Sequence, residues 1–96
     1  MNQVAFSDEA RADLRDAQAF YAAIAPGLAA RFAIEVARAV GLIGEHPAAW
    51  TSLGQDLRRV MVRRFPYVLV YREGATVQRV IAVAHTRRSR YWRGRR

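Results

Sequence analysis

Ninety-six residues, 52% hydrophobic and 25% charged, suffice for one folded domain with one core and no second. With no cysteine, disulfide frameworks, thiolate nucleophiles and cysteine-based zinc sites are excluded together. All sixteen basic residues are arginine against eight acids, for a net charge of +8, so lysine chemistry is excluded too and guanidinium is the cation on offer for carboxylate or phosphate.

The chain opens on a short apolar stretch, residues 2–6, that reads as a strand and stops at Ser7. Ser7 is a helix N-cap candidate, with Asp8 and Glu9 placed to oppose the positive end of the helix dipole. Ala10, Leu14, Ala17, Tyr21 and Ile24 then recur at helical spacing up to Pro26-Gly27, expected as a tight turn. A second stripe through Leu28, Phe32, Val36, Ala39, Val40 and Ile43 runs to Gly44 and Pro47. Two successive alanine-rich helices predict an antiparallel hairpin. Asp8, Glu9, Asp13 and Asp16 read as its solvated face. Residues 47–56 show no periodicity and are expected as a loop over the sheet edge.

Thereafter the pattern is β. Residues 57–65 form one strand, punctuated by Arg58, Arg59, Arg63 and Arg64 in an alternation that gives no single polar face and suits an edge position. Pro66 belongs at a connection, residues 67–71 are apolar on both faces, and residues 77–84 form the last strand after a turn at Glu73-Gly74-Ala75. The predicted class is α+β, order β-α-α-β-β-β, a helical hairpin packed on a mainly antiparallel sheet, as one domain over residues 1–96. The start lacks the layout of a signal peptide and no apolar run could cross a bilayer, so a cytoplasmic protein without a membrane partner is expected.

Charge is uneven. Residues 1–50 hold four Arg against six acids, net −2, and residues 51–96 hold twelve Arg against Asp56 and Glu73, net +10. The last eleven residues interleave Arg87, Arg88, Arg90, Arg93, Arg95 and Arg96 with Tyr91 and Trp92, a mixture that suits an acidic partner through ionic contacts and stacking. A solvated basic end with Trp92 packed on the helices is the plainer alternative. His85 stands beside this cluster where a base would stand. Neither His85 nor His46 has the neighbours of a metal site, and no glycine-rich phosphate loop occurs, so neither metal nor cofactor is expected.

The run from Arg63 to Tyr71, with Phe65-Pro66-Tyr67 and Tyr71, resembles one signature of the RelE/ParE superfamily of bacterial toxins. The second signature, H-x-R-R-x-x-x-W-x-x-R, is matched by His85, Arg87, Arg88, Trp92 and Arg95. The element order and length are similar as well, so the resemblance spans nearly the whole chain, closer to the ParE-like branch. It implies a toxin of a type II toxin-antitoxin module in a hetero-oligomer with a cognate antitoxin. ParE-like members act on DNA gyrase. RelE-like members cleave mRNA on the ribosome. In the cleaving pattern an arginine stands at the position of Val68 and another at Thr86, so the expectation is a gyrase-directed toxin that cleaves nothing. A ribosome-dependent nuclease built on His85, Arg87, Arg88 and Tyr91 is the alternative. A basic module binding nucleic acid or protein without toxicity is the third. Target contact is expected at Arg87, Arg88, Arg90, Tyr91, Trp92 and Arg93, and antitoxin contact at Arg58, Arg59, Arg63, Arg64 and Tyr71.

Overall fold

The computed structural model describes residues 2–88 and 90–96. Strand β1 (Gln3–Phe6) leads into α1 (Asp8–Ile24) and α2 (Pro26–Glu45), followed by β2 (Thr51–Gly54), β3 (Leu57–Val62), β4 (Tyr67–Arg72) and β5 (Val77–His85). The sheet order is β1-β5-β4-β3-β2, parallel between β1 and β5 and antiparallel elsewhere. The α+β class, the helical hairpin and the mainly antiparallel sheet are as expected, with one strand more.

Ser7 caps α1 as its position suggests, its hydroxyl accepting from the Ala10 N–H at 3.1 Å. The joint between the helices differs from the expected Pro-Gly turn. Ala25 alone, extended at φ −163°, separates them, and Pro26 already starts α2. A residue before proline is driven out of the helical region, while proline's fixed φ and missing N–H suit a first helical position, so one residue is enough to turn the chain. Phe32, Val36, Ala39 and Ile43 form the buried stripe of α2 and meet Ala10, Ala17 and Tyr21 of α1 over Val60, Val62, Leu69, Tyr71, Val80 and Val83 of the sheet. At one end Phe65 and Tyr67 each pack edge to face on both Tyr21 and Phe32, with centroids about 5 to 6 Å apart.

The stretch expected as a loop contains β2, which pairs with β3 through a two-residue turn. Gln55 and Asp56 there both take left-handed φ values of 51° and 64°. Such a turn matches strand twist but favours Asn-Gly, and Gln-Asp hides it. β3 is consequently interior, not an edge strand, and ends at Val62, leaving Arg63 and Arg64 in the turn before β4. An interior strand tolerates Arg58 because its guanidinium reaches out to Glu73 Oε1 (2.9 Å) and the Trp50 carbonyl (2.7 Å). The β4–β5 hairpin is closed by the buried Gln78 amide, which accepts from the Gly74 N–H (3.0 Å) and donates to the Gly74 carbonyl (2.9 Å). A Cβ at Gly74 would collide with the Val77 carbonyl oxygen.

Opposite Tyr71 and Val70 the register of β5 shifts, leaving Ile81 as the extra residue of a bulge. Beyond it, Ile81, Ala82 and Ala84 join Leu57, Val68 and Val70 in a second apolar cluster on the face that carries no helix. Trp92 closes that cluster, 6% exposed. It packs on the sheet, on the side away from the helices.

All four tyrosines have hydroxyls pushed above the ordinary phenol range by burial, Tyr71 to about 12. The fully buried Tyr71 donates its proton to the Pro47 carbonyl. Since the folded state raises these values, stability is intact below pH 10, where folded and unfolded tyrosines are both neutral. It falls as pH climbs from 10 towards 12, where only the unfolded chain ionises readily. Urea titrations should show a flat stability from pH 8 to 9.5 and a loss of at least about 2 kcal/mol by pH 11.5. Tyr71→Phe should reduce that alkaline loss relative to its own value at pH 8.

Candidate functional site

β1 pairs with β5 only as far as Val80, and the Ser7 N–H makes the last bond to the Val80 carbonyl. From Ile81 onward that side of β5 is an open edge whose polar groups need partners. They are met by side chains. Asp13 Oδ2 accepts from the Val83 N–H at 3.0 Å, and Arg95 Nη1 donates to the Ile81 carbonyl at 3.0 Å. The Tyr91 hydroxyl lies 3.0 Å from Asp13 Oδ2 and 3.2 Å from the Val83 carbonyl, so its single proton has two acceptors in reach. Arg95 also grips Asp13 with two nitrogens, at 2.7 and 3.3 Å, and its guanidinium lies 4.9 Å over the Tyr91 ring. The Asp13 hydrogen bond holds Arg95 still more firmly protonated than a free guanidinium. Burial and Asp13 together push the Tyr91 hydroxyl well above the phenol range.

One carboxylate of α1 therefore clasps the chain end to β5. Asp8, Glu9 and Asp16 do lie exposed on α1, but Asp13 does not belong with them. Its side chain is 14% exposed and its partner Arg95 lies 82 residues away. A signal existed: Ala10, Asp13 and Ala17 stand at i, i+3 and i+7, which places Asp13 within the apolar stripe. Arg95 is marked only as the last arginine of the signature that runs from His85 through Trp92, which says nothing of Asp13.

The tail after β5 is a succession of turns. Arg88 N–H donates to the His85 carbonyl, Arg93 N–H to that of Arg90, and Arg95 N–H to that of Trp92, with Arg90 and Gly94 at left-handed φ. Arg72 and Arg79 donate to the carbonyls of Arg95 and Arg96, so the end is fixed to the sheet. Among the expected target-contact residues, Arg87, Arg88, Arg90 and Arg93 are exposed on this ridge, whereas Trp92 is its buried anchor and Tyr91 turns its hydroxyl inward.

Two hollows flank the ridge. One of about 570 Å³ lies against α1 and is lined by Asp13, Asp16, Phe20, His85, Arg87, Arg88 and Tyr91 among others, so the four residues of the nuclease alternative do come together. The other, about 230 Å³, lies on the helix-free face, with His85 and Arg88 lining both. His85 Nδ1 accepts from the Arg87 N–H at 3.1 Å, so the neutral ring carries its proton on Nε2, and Tyr67 packs on it edge to face. Val68 is buried, part of the sheet's apolar cluster, and Thr86 is exposed.

Of the five residues expected to meet an antitoxin, Arg58 and Tyr71 are paired across β3 and β4 while the other three lie apart from them. Arg58 and Tyr71 are engaged as described, Arg59 faces solvent on the helix-free side, and Arg63 and Arg64 are exposed in the β3–β4 turn. Arg64 lines a third hollow, about 330 Å³, with Leu28, Arg31, Ile34, Glu35 and Phe65. Among the described residues, no group of three or more His, Asp or Glu is placed to hold a metal ion, and no helix is long and apolar enough to cross a membrane.

The helical hairpin packed over this sheet is a fold shared with a chain of the chromosomal ParDE toxin-antitoxin system from P. aeruginosa. The TM-score is 0.75 at 17% identity, over 88% of this chain and 96% of that one. No curated protein matches the sequence significantly. The model of the ParE toxin of the type II toxin-antitoxin system parDE matches residues 4–90, and the chain belongs to that family.

Proposed function

We propose that this toxin acts on DNA gyrase without cleaving nucleic acid, inside a bacterial cytoplasm, and is neutralised by a cognate antitoxin in a hetero-oligomer. Val68 carries the reading. Where the superfamily resemblance implies an arginine for the charge that builds on phosphate, this chain has a buried aliphatic side chain, and Thr86 is the second such replacement. Arg87 and Arg88, exposed beside the hollow, are the cations left to meet such charge, but the candidate bases are engaged: His85 uses its Nδ1 lone pair on a backbone N–H, and the Tyr91 hydroxyl lies within reach of both Asp13 and the Val83 carbonyl. What the site offers is binding: four exposed guanidinium groups close together, suited to an acidic protein surface. The antitoxin is assigned to the sheet and the helical hairpin, where Phe20, Ile24 and Ile34 leave large apolar side chains about 60% exposed.

The convergence of His85, Arg87, Arg88 and Tyr91 on one hollow favours ribosome-dependent mRNA cleavage as the second reading. The test pairs two assays: gyrase acting on relaxed plasmid with and without the protein, and primer extension on translated mRNA. Lost supercoiling with uncut mRNA is the expected outcome. Codon-positioned cuts with normal supercoiling would overturn it, and inertness in both would leave a binding module.

A further inference from the structure

We infer that the helix-free face of the sheet binds the phosphate backbone of duplex DNA without regard to base sequence. Residues directly opposite each other on neighbouring strands share a face, and the pairings place three guanidinium groups here. Arg59 stands opposite Val70, and Arg72 lies between Leu57 on β3 and Arg79 on β5; Leu57 and Val70 both belong to the apolar cluster on this side. The tail adds Arg90 and Arg93 along the same side. Among the described residues, none of the five is paired with a carboxylate. The acids are elsewhere: six of the eight are carried by α1 and α2 across the sheet, Glu73 is taken up by Arg58, and Asp56 stands at the β2–β3 turn.

Like charges directly opposite one another weaken a sheet, yet Arg72 and Arg79 face each other with no carboxylate between them. Arg72 donates instead to the Gln55 and Arg95 carbonyls, at 3.2 and 3.4 Å, which hold its guanidinium in place and leave the charge unmet. A bound phosphate offsets that repulsion. Beneath these groups the apolar cluster is closed, its members 0 to 7% exposed, so the face presents charge and no open apolar centre. Met61 and Val77 are exposed singly, towards opposite ends of the sheet. A protein partner draws on an apolar interface core, whereas a protein–DNA interface is more polar and far more positive. Single-stranded nucleic acid binds through aromatic faces on which bases stack. Trp92 is the one aromatic residue of the cluster; it is buried, with the Arg93 guanidinium 5.1 Å over its ring. A duplex keeps its bases stacked and its phosphates outward, so the cations suffice.

Where the proposed function holds, this face sets the toxin on the DNA that gyrase handles; the face itself does not rest on that reading. The test is fluorescence anisotropy from about 50 to 200 mM salt, with two labelled duplexes of unrelated sequence and about 16 base pairs, longer than the molecule's 38 Å. The two should bind within threefold of each other, and at least fivefold tighter than oligothymidylate or polyglutamate of matched charge. Four neutralised phosphates predict that log affinity falls on log salt with a slope of about −3.6, so about −3 or steeper is expected. Arg59→Ala/Arg79→Ala should weaken binding at least tenfold and make the slope shallower by about 2. Arg15→Ala/Arg31→Ala, the same charge change at exposed positions on the helices, should leave affinity within threefold. No binding at the lowest salt, a shallower slope for the parent, no preference for duplex over either competitor, or equal losses in the two double variants would each overturn the inference. Because gyrase takes no part, a protein that binds duplex but spares gyrase refutes only the functional reading, and one that inhibits gyrase but ignores duplex refutes only the DNA face.

Discussion

Replacing Asp13 with alanine should destabilise the protein by about 3 kcal/mol and free its C-terminal end. The largely buried Asp13 carboxylate accepts from Val83, Tyr91 and Arg95 together, and removing one side of a largely buried ion pair costs about 3 to 5 kcal/mol. Arg95 keeps the Ile81 carbonyl and the nearby Glu9, at 3.6 Å, which places the loss at the lower end. The Val83 N–H keeps nothing, and the edge of β5 opens. Asp13→Asn should cost less, because its amide oxygen still accepts from Val83 while the ionic part is lost. Urea unfolding measures the cost, and hydrogen exchange at the Val83 amide reports the edge. A loss below 1 kcal/mol with Val83 still protected would contradict the clasp.

Trp92→Ala should cost as much or more, about 3 to 5 kcal/mol, by the usual penalty for removing a large aromatic from a packed cluster. The hairpin lies on the other side of the sheet, and among the described residues Trp92 is the one apolar tail residue that joins Leu57, Val68, Val70, Ile81, Ala82 and Ala84 in their cluster on the helix-free face. In a domain of this length that loss lowers the melting temperature by roughly 15 °C or more. Limited trypsin digestion should then cut at Arg87 and Arg88 well before the body of the protein, whereas the parent tail resists. A melting temperature within 4 °C of the parent would mean that the tail does not hold this face.

These two side chains mark how far the sequence could be read. The helices were legible because their signals are local: Ser7 before two acids, and apolar stripes at helical spacing ending near Gly44 and Pro47. The last three strands were legible because branched residues cluster between turn residues. β2 was not, because its evidence is the pairing with β3 and its turn is written Gln-Asp. The joint at Ala25 was misplaced by one residue because proline both ends and begins helices, and only the backbone shows which. The arginine-rich tail was visible from composition alone. Its division into buried anchor, clasped end and exposed ridge was not, because Asp13 and Arg95 stand at opposite ends of the chain. The antitoxin residues illustrate the same limit. Alternation along one strand said nothing of Arg58 reaching Glu73, or of Tyr71 vanishing beneath Pro47.

The proposed function places target contact on the exposed ridge of the tail. Arg87 and Arg88 are exposed, so Arg87→Ala/Arg88→Ala should alter stability by less than about 1 kcal/mol. The decisive measurement is the concentration of folded protein that half-inhibits gyrase supercoiling, compared between parent and this double variant at equal melting temperature. The ridge predicts inhibition by the parent and at least a tenfold weaker effect from the variant; equal inhibition by both, or none by the parent, would contradict it.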